Sequence, residues 1–255
     1  ANSTGSDKAL LERALIVCNA DSKNGLSFTG SANPSLKVTN APLNNGLSTF
    51  TIDWWMMPTE TSLNFCGMGQ DNASLHIMGT EDKGFRVAVG GSSVFSDANI
   101  IVPGQWHHYA ITFNNGKLNF YRDCQFVCSK FVKTYAIDNL SSFTIGTSDA
   151  PMKGQIDEFR VWGTELSLEL LQAYANEPIE DVAAAEAYDD LRLYYQFNQS
   201  GGNVVDATSN GNDAVRQGFG PDGDAWGLSK GVFCLNFNES AEKDVTADYL
   251  LNWRA

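Results

Sequence analysis

Apolar and polar side chains alternate with a period of two along most of the chain before residue 164. In the run STFTIDWWMM, Phe50, Ile52, Trp54 and Met56 fall on one face, and Thr51, Asp53, Trp55 and Met57 on the other. The first set is wholly apolar and the second is mixed, which predicts a strand with one face against a core. Shorter runs of the same kind follow: SLHIMG, GFRVAVGG, HYAITF, KLNFYR, FVCSKFV, SSFTIGT and DEFRVW, with Gly, Asn, Asp or Pro between them. That spacing predicts an antiparallel sandwich or barrel.

The strongest local signal is Asn115-Gly116, because this pair supplies the two positive φ angles of a type I′ hairpin turn. Counting outward from a two-residue loop, Phe113 faces Leu118 and Ile111 faces Phe120, so the apolar side chains meet on one face. Tyr109 joins that inner face, while Trp106, His108, Ala110 and Thr112 lie on the other. His107 and His108, two of only three histidines, therefore point to opposite faces, and adjacent strand residues cannot converge on one substrate atom. The same register brings His108 near Asp123, predicting a cross-strand pair of theirs.

The period changes to a helical one at TELSLELLQAYA, residues 164–175, where Ser167 is positioned as N-cap and Leu170, Leu171 and Tyr174 form an apolar stripe. Pro178 closes this helix. A second, more solvated helix is predicted in IEDVAAAEAY. Beyond it, LRLYYQFN and VFCLNFN read as strands, separated by loops rich in Gly, Asn and Asp. The expected organisation is one sandwich domain over residues 1–176 and a small C-terminal module over residues 177–255, packed on the sandwich because it is too thin for an independent core.

Thirty acidic against seventeen basic side chains give a formal charge of −13, the wrong field for a phosphate backbone or an anionic membrane surface. No apolar run approaches the ~20 residues of a membrane-spanning helix. The five cysteines show no C-x-x-C pairing, so they signal neither a zinc ribbon nor a disulfide framework.

Four segments, GLSFTGSANPSLKV, STFTIDWWMMP, GQWHHYAITFNNGKLNFYRD and FTIGTSDAPMKGQIDEFRVWGTELSLELL, occur in an order and spacing that together resemble the laminin-G-like, concanavalin A-like jelly-roll domains of bacterial extracellular proteins. The resemblance covers residues 25 to 175. It implies an all-β antiparallel jelly-roll sandwich, an exported extracellular or cell-surface location, and strand roles for the W-x-H and IDEFRVW steps. Two departures stand out. Asp123-Cys124 occupies a turn where the family usually has Asp-Gly, so the second hairpin is expected to be looser or bulged. The phrase LRLYYQFNQSGGNVVDATSNGND, which commonly opens such a domain, here follows the helix.

The fold implied hosts glycoside hydrolases as well as lectins. Paired carboxylates on one strand require alternate positions, whereas Asp157 and Glu158 are adjacent and read as pointing apart, and no G-x-S-x-G elbow occurs. The expectation is a non-catalytic, lectin-like module for a polysaccharide or glycan. The alternatives are an adhesion module for cell-surface proteins and, behind it, a glycosidase. Among the six tryptophans, Trp226, in a loop with Asp222 and Asp224, is best placed to stack on a sugar; a buried loop anchor is the competing reading. A structural calcium ion is the metal to expect. The resemblance implies Asp157 as a ligand, and the loop holding Asp206, Asn210, Asn212 and Asp213 is the second candidate, against ordinary turn chemistry at either place.

Overall fold

The computed structural model describes residues 25–28, 33–59, 64–70, 75–138, 140–199 and 201–220. Two antiparallel sheets stack face to face. Sheet A runs in the order β1 (Leu26–Ser27), β12 (Gly154–Trp162), β3 (Thr49–Pro58), β8 (His107–Asn114), β9 (Lys117–Arg122) and β10 (Gln125–Phe131), with β13 (Leu191–Tyr195) also paired to β12. Sheet B runs β14 (Ala214–Gln217), β2 (Ser35–Val38), β11 (Phe143–Ile145), β4 (Asn64–Gly69), β5 (Leu75–Thr80), β6 (Phe85–Val89) and β7 (Ser92–Phe95). This is a sandwich, one of the two forms the alternation predicts, and it agrees with the jelly roll that the resemblance implies.

The inner faces are the predicted ones. Phe50, Ile52, Trp54 and Met56 of β3 enter one core with Tyr109, Ile111 and Phe113 of β8 and with Leu75, Ile77, Phe85 and Val87 from sheet B. Burying each such side chain contributes about 1.5–3 kcal/mol. The β8–β9 hairpin has the expected register, Phe113 opposite Leu118 and Ile111 opposite Phe120, with φ of 46° at Asn115 and 91° at Gly116.

The second hairpin departs from expectation. Arg122 pairs directly with Gln125, and Asp123 and Cys124 both take left-handed φ, 51° and 53°. The turn is therefore tight without glycine, and the bulge lies further on, between Phe126 and Cys128.

Sheet A has a second covered face. The helices α1 (Leu168–Asn176) and α2 (Val182–Asp189) lie outside the inter-sheet core. Leu171, Ala175 and Ala185 pack with Trp55, Ala110, Trp162 and Tyr194 in a separate apolar cluster. Ser167 caps α1 by accepting from Leu170 N–H at 3.3 Å, and Asp181 caps α2 by accepting from Ala184 N–H at 2.9 Å. The mixed face of β3 is thus buried too, under α1.

The stretch expected to begin a C-terminal module supplies strands to both sheets: β13 extends sheet A beside β12, and β14 forms an edge of sheet B beside β2. Residues 221–255, including VFCLNFN, lie outside the described residues.

Candidate functional site

The two histidines do point apart, but their partners differ from expectation. His107 Nδ1 lies 2.8 Å from Asp123 Oδ2. His108 contacts Asp123 through its backbone, its N–H donating to Oδ1 at 3.2 Å and its carbonyl accepting from Asp123 N–H at 2.7 Å, while its ring places Nε2 3.1 Å from Asp53 Oδ1 on the helix-covered face. The predicted His108–Asp123 side-chain pair is thus replaced, because Asp123 bends into a left-handed turn and Asp53 stands on the neighbouring strand.

Asp53 is the centre of a buried polar network. Its Oδ1 also accepts from Arg160 Nη1 at 3.0 Å, and its Oδ2 from Trp162 Nε1 at 2.6 Å. Arg160 Nη2 donates to Glu158 Oε2, which also accepts from Tyr194 Oη at 2.6 Å. Burial alone would raise the Asp53 carboxyl, but Arg160, His108 and Trp162 together hold it below the ordinary carboxylate value. A carboxylate only accepts, so His108 Nε2 carries a proton toward it.

A β-bulge assembles this cluster. Asp157 pairs with Trp55 while Arg160 pairs with Asp53, and Glu158 takes a φ of 49°. The extra residue cancels the alternation there. Asp157, level with Trp55, and Glu158, bonded to Arg160 and Tyr194, both lie on the helix-covered face, which corrects the expectation that they point apart.

Cys124 Sγ sits 3.6 Å from His108 Nδ1 and 3.3 Å from Leu171 O of α1. Cys124, His108 and Asp53 thus follow the order of nucleophile, base and orienting carboxylate. All three are buried, and burial, with the charges of Asp53 and Asp123, pushes the thiol up, away from the reactive thiolate. This row joins α1 to the sheet.

Of the sequence candidates, Trp226, Asp222 and Asp224 lie outside the described residues. Asp157 is buried on sheet A at 3% exposure. Asp206 and Asn212 do come together, the Asn212 N–H donating to Asp206 Oδ2 at 2.9 Å. The Asp206 carboxylate further accepts from Tyr194 N–H at 3.1 Å, Thr208 N–H at 3.0 Å and Thr208 Oγ1 at 2.8 Å. Four donors occupy its lone pairs, so it folds the loop and does not fit as a ligand for a cation. No group of three or more His, Cys, Asp or Glu suited to a metal occurs among the described residues.

The outward face of sheet B carries a different feature, which the sequence reading missed. A polar cleft of about 360 Å³ opens where β2, β11 and β4 meet. Ser35, Gln70, Ser142 and Thr144 line it with hydroxyls and an amide, and Gly69 and Gly146 belong to its wall. Gly69 has φ of 115°, and a Cβ there would lie 2.2 Å from Leu75 O; at Gly146, with φ of 82°, a Cβ would lie 2.7 Å from Pro34 O. Only glycine fits either place. Gln70 Oε1 is fixed by Ser141 N–H at 2.8 Å and Ser142 N–H at 3.2 Å. The side chains of Ser35 and Thr144 make no hydrogen bond to other described residues and face the cleft uncommitted. Among the described lining residues none is acidic.

A family model described as the concanavalin A-like lectin/glucanases superfamily, Laminin_G_3, matches residues 29–172, more than half of the chain. The chain belongs to this concanavalin A-like superfamily. Its sandwich is similar to that of a candidate carbohydrate binding protein from Bacteroides ovatus ATCC 8483, at a TM-score of 0.60 and 21% identity over 77% of this chain and 60% of that one. It is also similar to a native heptameric SAP-like pentraxin from Limulus polyphemus, at a TM-score of 0.50 and 15% identity over 61% of this chain and 82% of that one. At these identities the likeness concerns the fold. The concanavalin A-like chain therefore spans less than two thirds of the Bacteroides protein. A search of curated proteins found no match.

Proposed function

We propose that this concanavalin A-like chain is a non-catalytic, lectin-like module that binds an extracellular glycan in the cleft on sheet B. The observation that carries the reading is a trough kept open by two obligatory glycines and lined with uncommitted hydroxyls, over a rigid sheet. Sugar hydroxyls both donate and accept, so Ser, Thr, Asn and Gln groups match them without a charge to desolvate. Glycoside hydrolysis needs a carboxylic acid and a carboxylate beside the sugar, and the described lining supplies neither. The similarity to the Bacteroides protein supports the ligand class, and the family supports an exported or cell-surface setting. Among the described residues no helix is long and apolar enough to cross a membrane.

A glycan array probed with the full chain, with and without calcium, tests the reading. Binding by the wild type and its loss in Thr144→Trp is the expected result, because the new side chain fills the cleft while breaking no hydrogen bond. Release of reducing ends from a polysaccharide would overturn the non-catalytic reading, and retention of array binding in Thr144→Trp would overturn the placement. Binding that vanishes on chelation would make calcium part of the site, with ligands other than the Asp206 carboxylate.

A further inference from the structure

A second cleft, of about 460 Å³, opens between α2, the start of β13, the loop after β2 and the Asp206–Asp213 loop. Its volume lies within the roughly 300–1,000 Å³ of small-molecule sites. Unlike the cleft on sheet B, it has charged groups in its lining, Glu186, Asp190 and Arg192. Arg192 forms two hydrogen bonds to Asp190, Nε to Oδ1 at 3.0 Å and Nη2 to Oδ2 at 2.8 Å. Glu186 Oε1 accepts from Ser209 N–H at 2.8 Å and Ser209 Oγ at 2.7 Å. Asn210 Nδ2 donates to Arg192 O at 3.1 Å.

These bonds fix the cleft wall and leave a defined remainder. Within the described residues, Glu186 Oε2, Arg192 Nη1, Asn210 Oδ1 and the whole Asn44 side-chain amide make no hydrogen bond, and all four residues line the cleft. A carboxylate oxygen, a guanidinium N–H and two amides thus share one rigid concave wall. The Arg192 charge is already matched by Asp190, which weakens its pull on a free anion, while Glu186 and Asp190 oppose one. A neutral vicinal diol matches this remainder, because each hydroxyl donates to an oxygen and accepts from an N–H, and the bonds to Glu186 and Arg192 are charge-assisted.

We infer that this cleft is a second saccharide site, specific for a vicinal diol of a neutral pyranose, so that one chain engages two glycan segments at once. The ligand class rests on the lectin-like reading above, whereas the place and the contacts are independent of it. Two weak sites on one rigid body would raise avidity on a dense glycan surface far beyond either alone.

Amide NMR of the labelled full chain, titrated separately with the methyl glycosides of glucose, galactose and mannose, tests this. Saturable shifts at residues 186–192 and 209–212 are expected with at least one of the three. Asn44→Trp, which fills the cleft and removes no side-chain hydrogen bond, should abolish them with the melting temperature unchanged. Glu186→Gln should weaken them by about tenfold, the loss of one charged acceptor, and Thr144→Trp should leave them intact. Shifts confined to residues 142–148 would overturn the second site and leave the first standing. Shifts at 186–192 and 209–212 without shifts at 142–148 would support the second site, and the array result would then decide the first. Shifts at neither place would overturn this inference, and the array result would then decide the first reading separately.

Discussion

The outward faces of the two sheets use polar residues in opposite ways. On sheet A, Asp53, His108, Glu158 and Arg160 are buried beneath α1 and bonded to one another. On sheet B, Ser35 and Thr144 stand over an open trough. The charged cluster on sheet A holds the greater share of reactive chemistry and is buried away from a ligand; the uncharged trough on sheet B has little reactive chemistry and is open. A polar group whose capacity is satisfied internally builds structure, and one left unsatisfied at a concave surface is available for recognition.

Substitutions that sharpen this contrast differ widely in expected size. Arg160→Met leaves two buried carboxylates facing each other without their cation, and should cost about 3–5 kcal/mol in urea unfolding. Gly69→Ala forces a Cβ onto backbone at positive φ and should cost about 1–3 kcal/mol, with loss of glycan binding. Because the folded state holds the Asp53 carboxyl below its unfolded value, the unfolded chain binds the extra proton in acid. The stabilisation from Asp53 is thus complete above about pH 4 and is lost as pH falls further. Asp53→Asn, weaker at neutral pH, should show a shallower decline in an acid-unfolding series. Smallest is Thr144→Ala, which should leave stability within about 0.5 kcal/mol while weakening glycan binding on the array.

Legibility in the sequence followed the same physics. The β8–β9 register could be read because Asn115-Gly116 needs no tertiary help to reach positive φ. The second turn could not, since Asp123 and Cys124 take that conformation only with Cys124 anchored against His108 and Leu171. Strict alternation also hid the bulge at Glu158, and with it the charged cluster, because one inserted residue reverses the face of everything read from the pattern. LRLYY was legible as a strand, but its place beside β12 depends on long-range pairing. The cleft on sheet B draws its lining from separate short segments of Ser, Thr and Gly, each of which reads as turn or edge alone. The glycine ending β4 and the one following β11 were its only local signals.

Hydrogen–deuterium exchange of the full chain, with and without an oligosaccharide selected on the array, weighs the two faces in one measurement. Protection at β11 and residues 142–148, with α1 and β12 unchanged, is the predicted result. Protection at α1 and β12, with the trough on sheet B unaffected, would contradict it.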